Sequence, residues 1–253
     1  MSLAGHRRAS YLALAAAVTL ALSACSSSST SAKAPPSSPS STTSASGTGS
    51  SPVVLLEQLR KSSAAAKSVR VKGTITNNAN TAKKVTLTIN IAGDRAGKNM
   101  QAIVNDGTGA IEILTTGGQT YLKADNAYWA KNGSAAIAKL AAGKYIKVPA
   151  TSAAAMSGLT VGTLLDQIFA KDMSTASKLS TKVEKANVKG VPAYLMTTKS
   201  DGTKIYVTAD GKALLLRVEG SKTQPGTVDF TEWDAVAPVG PPPAGQVATI
   251  PGL

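Results

Sequence analysis

Val85, Leu87, Ile89 and Ile91 alternate with Thr86, Thr88 and Asn90, and this two-residue period constrains the chain more than any other feature. Successive side chains of a strand point to opposite faces, so the pattern predicts a strand with one buried and one wet face. It recurs. Val69, Val71 and Ile75 alternate with Arg70, Lys72, Thr74 and Thr76. Met100, Ala102 and Val104 follow, with Ile103 breaking the alternation, then Ile111, Ile113 and Leu114, then residues 121–124. Asn77-Asn78, Gly93-Asp94, Asp106-Gly107 and Gly117-Gly118 separate the runs, as tight hairpins require. A second group is predicted over 182–188, 193–198, 204–208, 214–219 and 227–233, with Asp201-Gly202 and Asp210-Gly211 as turns.

Helical spacing fills the gaps. Ser51 and Pro52 read as N-cap and first helical residue, and Leu55, Leu56, Leu59 and Ala66 predict an amphipathic helix over 52–67. Ser134 can cap a short helix containing Ile137 and Leu140. Leu159, Leu164, Leu165, Ile168 and Phe169 predict a longer helix ending near Lys171. Helices segregated to one side of an antiparallel sheet make this an α+β fold. From Pro238 the chain carries five prolines, and residues 238–253 are predicted to be extended rather than packed.

The first residues carry an address. His6, Arg7 and Arg8 precede an uncharged run over 11–21, long enough to enter a translocon and too short to span a bilayer. Leu22-Ser23-Ala24-Cys25 resembles the lipobox of bacterial lipoproteins at every position. That resemblance implies a signal peptide over 1–24, cut before Cys25, with the Cys25 thiol joined to diacylglycerol and the N-terminus acylated, as by palmitate. Two acyl chains anchor stably where one does not, so the chain is expected to be tethered at the extracytoplasmic face of the cell membrane. No later stretch is apolar enough for a transmembrane helix. Residues 25–52, nearly all Ser, Thr, Pro, Ala and Gly, cannot bury enough apolar surface to fold and read as a flexible tether.

Composition then excludes chemistry. The one histidine, His6, and the one cysteine, Cys25, both lie at the N-terminus. Ser-His-Asp and Cys-His catalysis, disulfides and His/Cys zinc sites are therefore ruled out, and no cofactor or metal is expected. The formal charge is +13, falling to +11 once Arg7 and Arg8 are removed. Lysine supplies 21 of the 27 basic residues, which suits a solvated surface or attraction to anionic lipid and wall polymers. Nucleic-acid binding, which favours arginine and stacked aromatics, is not expected.

Beyond the lipobox and tether, several segments resemble the LppX/LprG-type lipoproteins of actinobacteria, with the wider LolA/LolB-like carriers behind them. These are the leading helix with Leu55, Leu56 and Leu59, the strand pair from Val69 to Ile91, and Gly118-Gln119-Thr120-Tyr121-Leu122 before Tyr128-Trp129. The last is Val228-Asp229-Phe230-Thr231-Glu232-Trp233-Asp234 leading into prolines. The likeness runs over about 53–240, with the domain itself placed at 53–237. It implies a strongly curved antiparallel half-barrel with helices across its open side, and an apolar cavity for the acyl chains of a lipid or glycolipid. The chain departs from that pattern in having only two phenylalanines, Phe169 and Phe230, and a Pro-rich tail.

A cavity of this kind would be lined by Val71, Ile75, Leu87, Ile89, Met100, Val104, Ile113, Met196, Val207 and Leu216. Each of these is equally an ordinary core residue, and a filled core is the competing reading. Two functions follow. One is non-enzymatic binding, and even transport, of an acylated lipid. The other is a structural lipoprotein with a solid core that binds a partner protein or wall polymer. Asp229, Glu232 and Asp234 form the densest acidic cluster; on one strand Glu232 and Asp234 would share a face opposite Asp229, which suits a solvated strand end better than a carboxylate pair. Lys199, Lys204 and Lys212 read as solubilising charges, and Asp94, Asp106 and Asp125 as turn residues.

Overall fold

The computed structural model describes residues 51–77, 85–132, 135–171, 178–180 and 182–250. Cys25, Asn78 and Ser134 lie outside them. The described residues form one open twelve-stranded sheet with five α-helices. Strands β1 (Ser68–Asn77), β2 (Val85–Asp94), β3 (Met100–Asn105), β4 (Ala110–Thr116) and β5 (Gln119–Ala124) form an antiparallel meander, continued by β6 (Tyr145–Val148). A second meander runs through β7 (Glu184–Val188), β8 (Val191–Thr197), β9 (Lys204–Thr208), β10 (Leu215–Glu219) and β11 (Gly226–Thr231). The two join where β1 pairs antiparallel with β11. This is the expected α+β curved sheet, and β6 is a strand that the sequence did not announce.

Register explains the faces. Val71 stands opposite Ile91 and Phe230, and Ile91 opposite Ala102, so these four share the apolar face. The neighbouring row, Lys72, Asn90, Ile103, Glu112 and Lys123, faces out. Ile103, which broke the alternation in the sequence, is the apolar member of that outer row. Three glycines, Gly73, Gly93 and Gly226, stand in strands where an added Cβ would overlap backbone of the neighbouring strand or turn. Glycine in a strand interior marks close approach or a sharp bend, which suits a sheet that curves over its apolar side.

Helices cover that side. Helix α1 (Pro52–Ala65) starts at Ser51, whose hydroxyl accepts from Val54 N at 3.3 Å, and buries Leu55, Leu56 and Leu59. Helices α2 (Asn126–Asn132), α3 (Ala135–Ala141) and α4 (Ala150–Ala155) follow, with α2 against β4 and α4 against β5. Helix α5 (Val161–Lys171) packs on β1 and β2. Arg95, in the β2–β3 turn, ties two of these helices together: it donates to Ser63 O of α1 at 2.6 Å and to Asp166 Oδ1 of α5 at 2.7 Å.

Two expectations are corrected. Strand β11 ends at Thr231, and Glu232 and Asp234 adopt φ of 54° and 58° rather than strand geometry. Their carboxylates hold this turn against β1: Glu232 Oε1 meets Arg70 Nε at 2.7 Å and Asp234 Oδ1 accepts from Lys67 N at 2.6 Å. The Pro-rich tail is extended, yet it docks. Val239 is held by Asn99 and Thr116, and β12 (Val247–Ala248) pairs parallel with β6. The prolines remove N–H groups, but the residues between them keep theirs.

Candidate apolar site

The apolar face is not equally covered along its length. Near the Arg95 turn it is sealed. Val71, Ile91 and Ile113 are 1% exposed, Met100 3%, and Phe230 fully buried. Toward the opposite strand ends the same face opens. On β1 Ile75 is 38% exposed, and on β2 Val85 is 36% exposed. Leu87, Val104, Ile111 and Val228 are half-buried. Helix α5 repeats the gradient: Val161 and Leu165 are 1% exposed, whereas Ile168 and Phe169 are half-buried. Register sets these positions in two adjacent rows, Ile75 opposite Leu87 in one, and in the other buried Ile89 opposite Val104, then Ile111 and buried Ala124. The apolar face is thus buried at one end and partly exposed at the other.

The proposed lining residues divide along this gradient. Val71, Ile89, Met100, Ile113, Met196 and Val207 lie in the sealed part, all 4% exposed or less. Ile75, Leu87 and Val104 lie in the open part. Leu216 stands apart. The register of β10 against β9 shifts between Leu215 and Arg217, so one extra residue sits in β10 and Leu215, 0% exposed, takes the core position. Leu216 is half-buried. Ile111, Val228, Ile168 and Phe169 are half-buried too, and the sequence places them in strands and a helix without marking them as lining. Their signal in the sequence is only aliphatic or aromatic character at the proper period, which core residues share.

Charge is kept to the outer face and the turns. Asp229 lies between Arg217 Nε at 2.7 Å and Lys189 Nζ at 2.9 Å. Burial alone would raise the Asp229 pKa, but the hydrogen bonds and charges of Arg217 and Lys189 outweigh it and hold the carboxyl below its ordinary value. On the outer row Glu112 accepts from Gln101 at 2.6 Å and from the Tyr145 hydroxyl at 2.8 Å. Burial, aided by the Glu112 carboxylate, pushes Tyr145 up to about 12. Lys204 lies 3.7 Å from Glu219. Asp94 accepts from Lys98 N and Asn99 N, Asp106 from Thr108 N and Gly109 N, and Asp125 from Ala110 N and Tyr128 N. Among the described residues no three acidic, histidine or cysteine side chains gather as a metal site, and no helix is long and apolar enough to cross a membrane.

No family model and no curated protein matches this chain. Solved structures do. LprF from Mycobacterium bovis is 14% identical with a TM-score of 0.43, the match covering 76% of this chain and 96% of that one. The Mycobacterium tuberculosis lipoprotein LppX is 10% identical with a TM-score of 0.38, covering 75% and 97%. A DUF1329 family protein from Desulfovibrio piger is 11% identical with a TM-score of 0.25, covering 73% and 94%. The chain is similar to these proteins along most of its length, and its functional reading rests on its own residues.

Proposed function

We propose that this chain is an envelope lipoprotein, anchored through Cys25 at the extracytoplasmic face of the membrane, whose domain binds the acyl part of a lipid or glycolipid. The observation that carries the reading is the exposure gradient: one continuous apolar face, sealed at Val71, Met100 and Phe230 and open at Ile75, Leu87, Val104 and Ile111. Exposed apolar area on one face has a cost in water that a hydrocarbon chain relieves. Each buried methylene contributes about 0.8 kcal/mol. Ten of them give a gross ~8 kcal/mol, from which the costs of association are subtracted. Such binding needs no charged anchor, which suits an apolar face whose charged neighbours lie on the other side of the sheet.

Native mass spectrometry of the Cys25→Ser protein, purified without detergent, tests this. Co-purifying lipid, or uptake of an added long-chain ester, is the expected result. A protein that carries none and takes up none overturns the reading. It would leave the structural alternative, a partner protein or wall polymer as ligand, which the tight filling around Val71, Ile113, Met196 and Val207 favours. The anchor is tested separately: Cys25→Ala should move the protein from the membrane fraction to the medium.

A further inference from the structure

Trp129 is 6% exposed, and its indole Nε1 is buried without a hydrogen-bond partner. The chain's other tryptophan is satisfied, since Trp233 donates Nε1–H to Leu215 O at 2.9 Å. An indole nitrogen is a donor only, and a buried donor left unmade costs free energy comparable with a lost hydrogen bond. An orphan of this kind in a native interior calls for an acceptor that the protein itself does not supply.

Its helix stands at the open end of the apolar face. Strand β5 ends at buried Ala124, opposite half-buried Ile111. Helix α2 begins two residues later and is pinned there by Asp125. The Asp125 carboxylate accepts from Tyr128 N and from Ala110 N of β4, both at 2.7 Å, and its carbonyl accepts from Trp129 N at 3.2 Å. A Cβ on Gly109 would stand 2.7 Å from Tyr128 N, so the helix is pressed against the β3–β4 turn. Trp129 belongs to the one apolar core cluster, against which Val104 and Ile111 also pack, and its helix α2 packs on β4, the strand of Ile111.

We propose that the Trp129 Nε1–H is the polar contact of the acyl site, donating to the neutral carbonyl oxygen of an ester-linked acyl chain laid along Ile111 and Val104 and then obliquely to the adjacent row of Leu87 and Ile75. The inference rests on the acyl-binding reading above and names the ligand class. A free carboxylate fits worse: a buried charge needs a paired cation, and the nearby Lys123 lies on the outer face, its Nζ over the Tyr145 ring. The path from β5 to β1 crosses four strand spacings, roughly 19 Å at about 4.8 Å each, the length scale of a long fatty acyl chain.

The test uses two probes of equal chain length, methyl palmitate and hexadecane, on the Cys25→Ser protein with and without Trp129→Phe. Trp129→Phe should weaken methyl palmitate about fivefold, the worth of one neutral hydrogen bond, and leave hexadecane unchanged. Equal ester binding in both proteins overturns the proposal and assigns the donor to a water. Equal loss of both probes also overturns it, since the ring then acts by shape. If Trp129→Phe does not fold, the carbonyl stretch of isotope-labelled methyl palmitate bound to the Trp129 protein decides: a shift to lower frequency is expected, and an unshifted band overturns it. Uptake of neither probe by the Trp129 protein is the separate failure of the acyl-binding reading, and the inference goes with it.

Discussion

Arg217 on β10 and Asp229 on β11 stand directly opposite one another, with the guanidinium Nε 2.7 Å from the carboxylate Oδ1. Both side chains are only about a fifth exposed, at 20% and 21%. Arg217 is pushed up by its hydrogen bond to Asp229, the complementary sign of the same interaction. The pair lies beside the β1–β11 seam that joins the two meanders.

Asp229→Asn should therefore cost about 1–2 kcal/mol at neutral pH, the range for a hydrogen-bonded charge pair that is not fully buried. The pH dependence has a definite sign. Because the folded carboxyl is held below its unfolded value of about 3.9, its contribution is fully present above that value. It is lost as pH falls through the lower folded pKa. Thermal melts of the two proteins should differ by a constant amount from neutral pH to about pH 5 and converge below about pH 4. A difference that persists at low pH would rule out the ionic origin.

Gly73 presses on β11 so closely that a side chain there would overlap the Thr227 carbonyl oxygen and Val228 Cα, both backbone atoms that have nowhere to move. Gly73→Val should cost about 3 kcal/mol or more, the upper range for overpacking. Denaturant unfolding should show the loss with an unchanged slope. A cost below about 1 kcal/mol would mean that the seam can open.

Leu215 and Leu216 test the bulge. Leu215→Ala should cost about 2–5 kcal/mol because the side chain is fully buried, while half-buried Leu216→Ala should cost under about 1.5 kcal/mol. Equal costs would place the extra residue elsewhere in β10.

The same pair shows where sequence reading stops. Alternation over 85–91 fixed both faces of β2 because nothing interrupts its period. In β10 the run Leu214-Leu215-Leu216 is apolar at every position, so only tertiary register decides which leucine goes inside. Strand β6 is four residues long, too short to show a period, and α2 carries Tyr128 and Trp129, residues that favour strands as readily as helices. The apolar face was legible in residue type but its exposure was not, because Val71 and Ile75 look alike in sequence and differ only in what α5 and the sheet leave uncovered. The orphan Trp129 nitrogen had no sequence signal at all.

Asn99 holds the tail by imitating a strand. Its side-chain Oδ1 accepts from Val239 N and its Nδ2 donates to Val239 O, both at 2.8 Å. Thr116 Oγ1 donates to the same carbonyl at 2.9 Å. Beyond this latch β12 covers the edge of β6. Asn99→Ala should lower stability by about 1–2 kcal/mol and speed hydrogen exchange selectively at the amides of 145–148, the edge that β12 protects. Exchange that rises evenly over the whole sheet would show a general loss of stability instead.

Ile75 separates the proposed lipid binding from folding. It lies on the open part of the apolar face at 38% exposure, so a polar side chain there can reach water without being buried. Ile75→Glu should leave the melting temperature within a few degrees, as surface substitutions do. Its carboxylate would line the path of the acyl chain, and burying it under hydrocarbon would shift its pKa or displace the ligand. Uptake of methyl palmitate should drop at least tenfold at pH 7 and recover partly at pH 4, where the carboxyl is protonated. Met100→Glu, placed where the face is sealed at 3% exposure, should instead unfold the domain. Unimpaired uptake by a folded Ile75→Glu protein would show that the acyl chain takes another route.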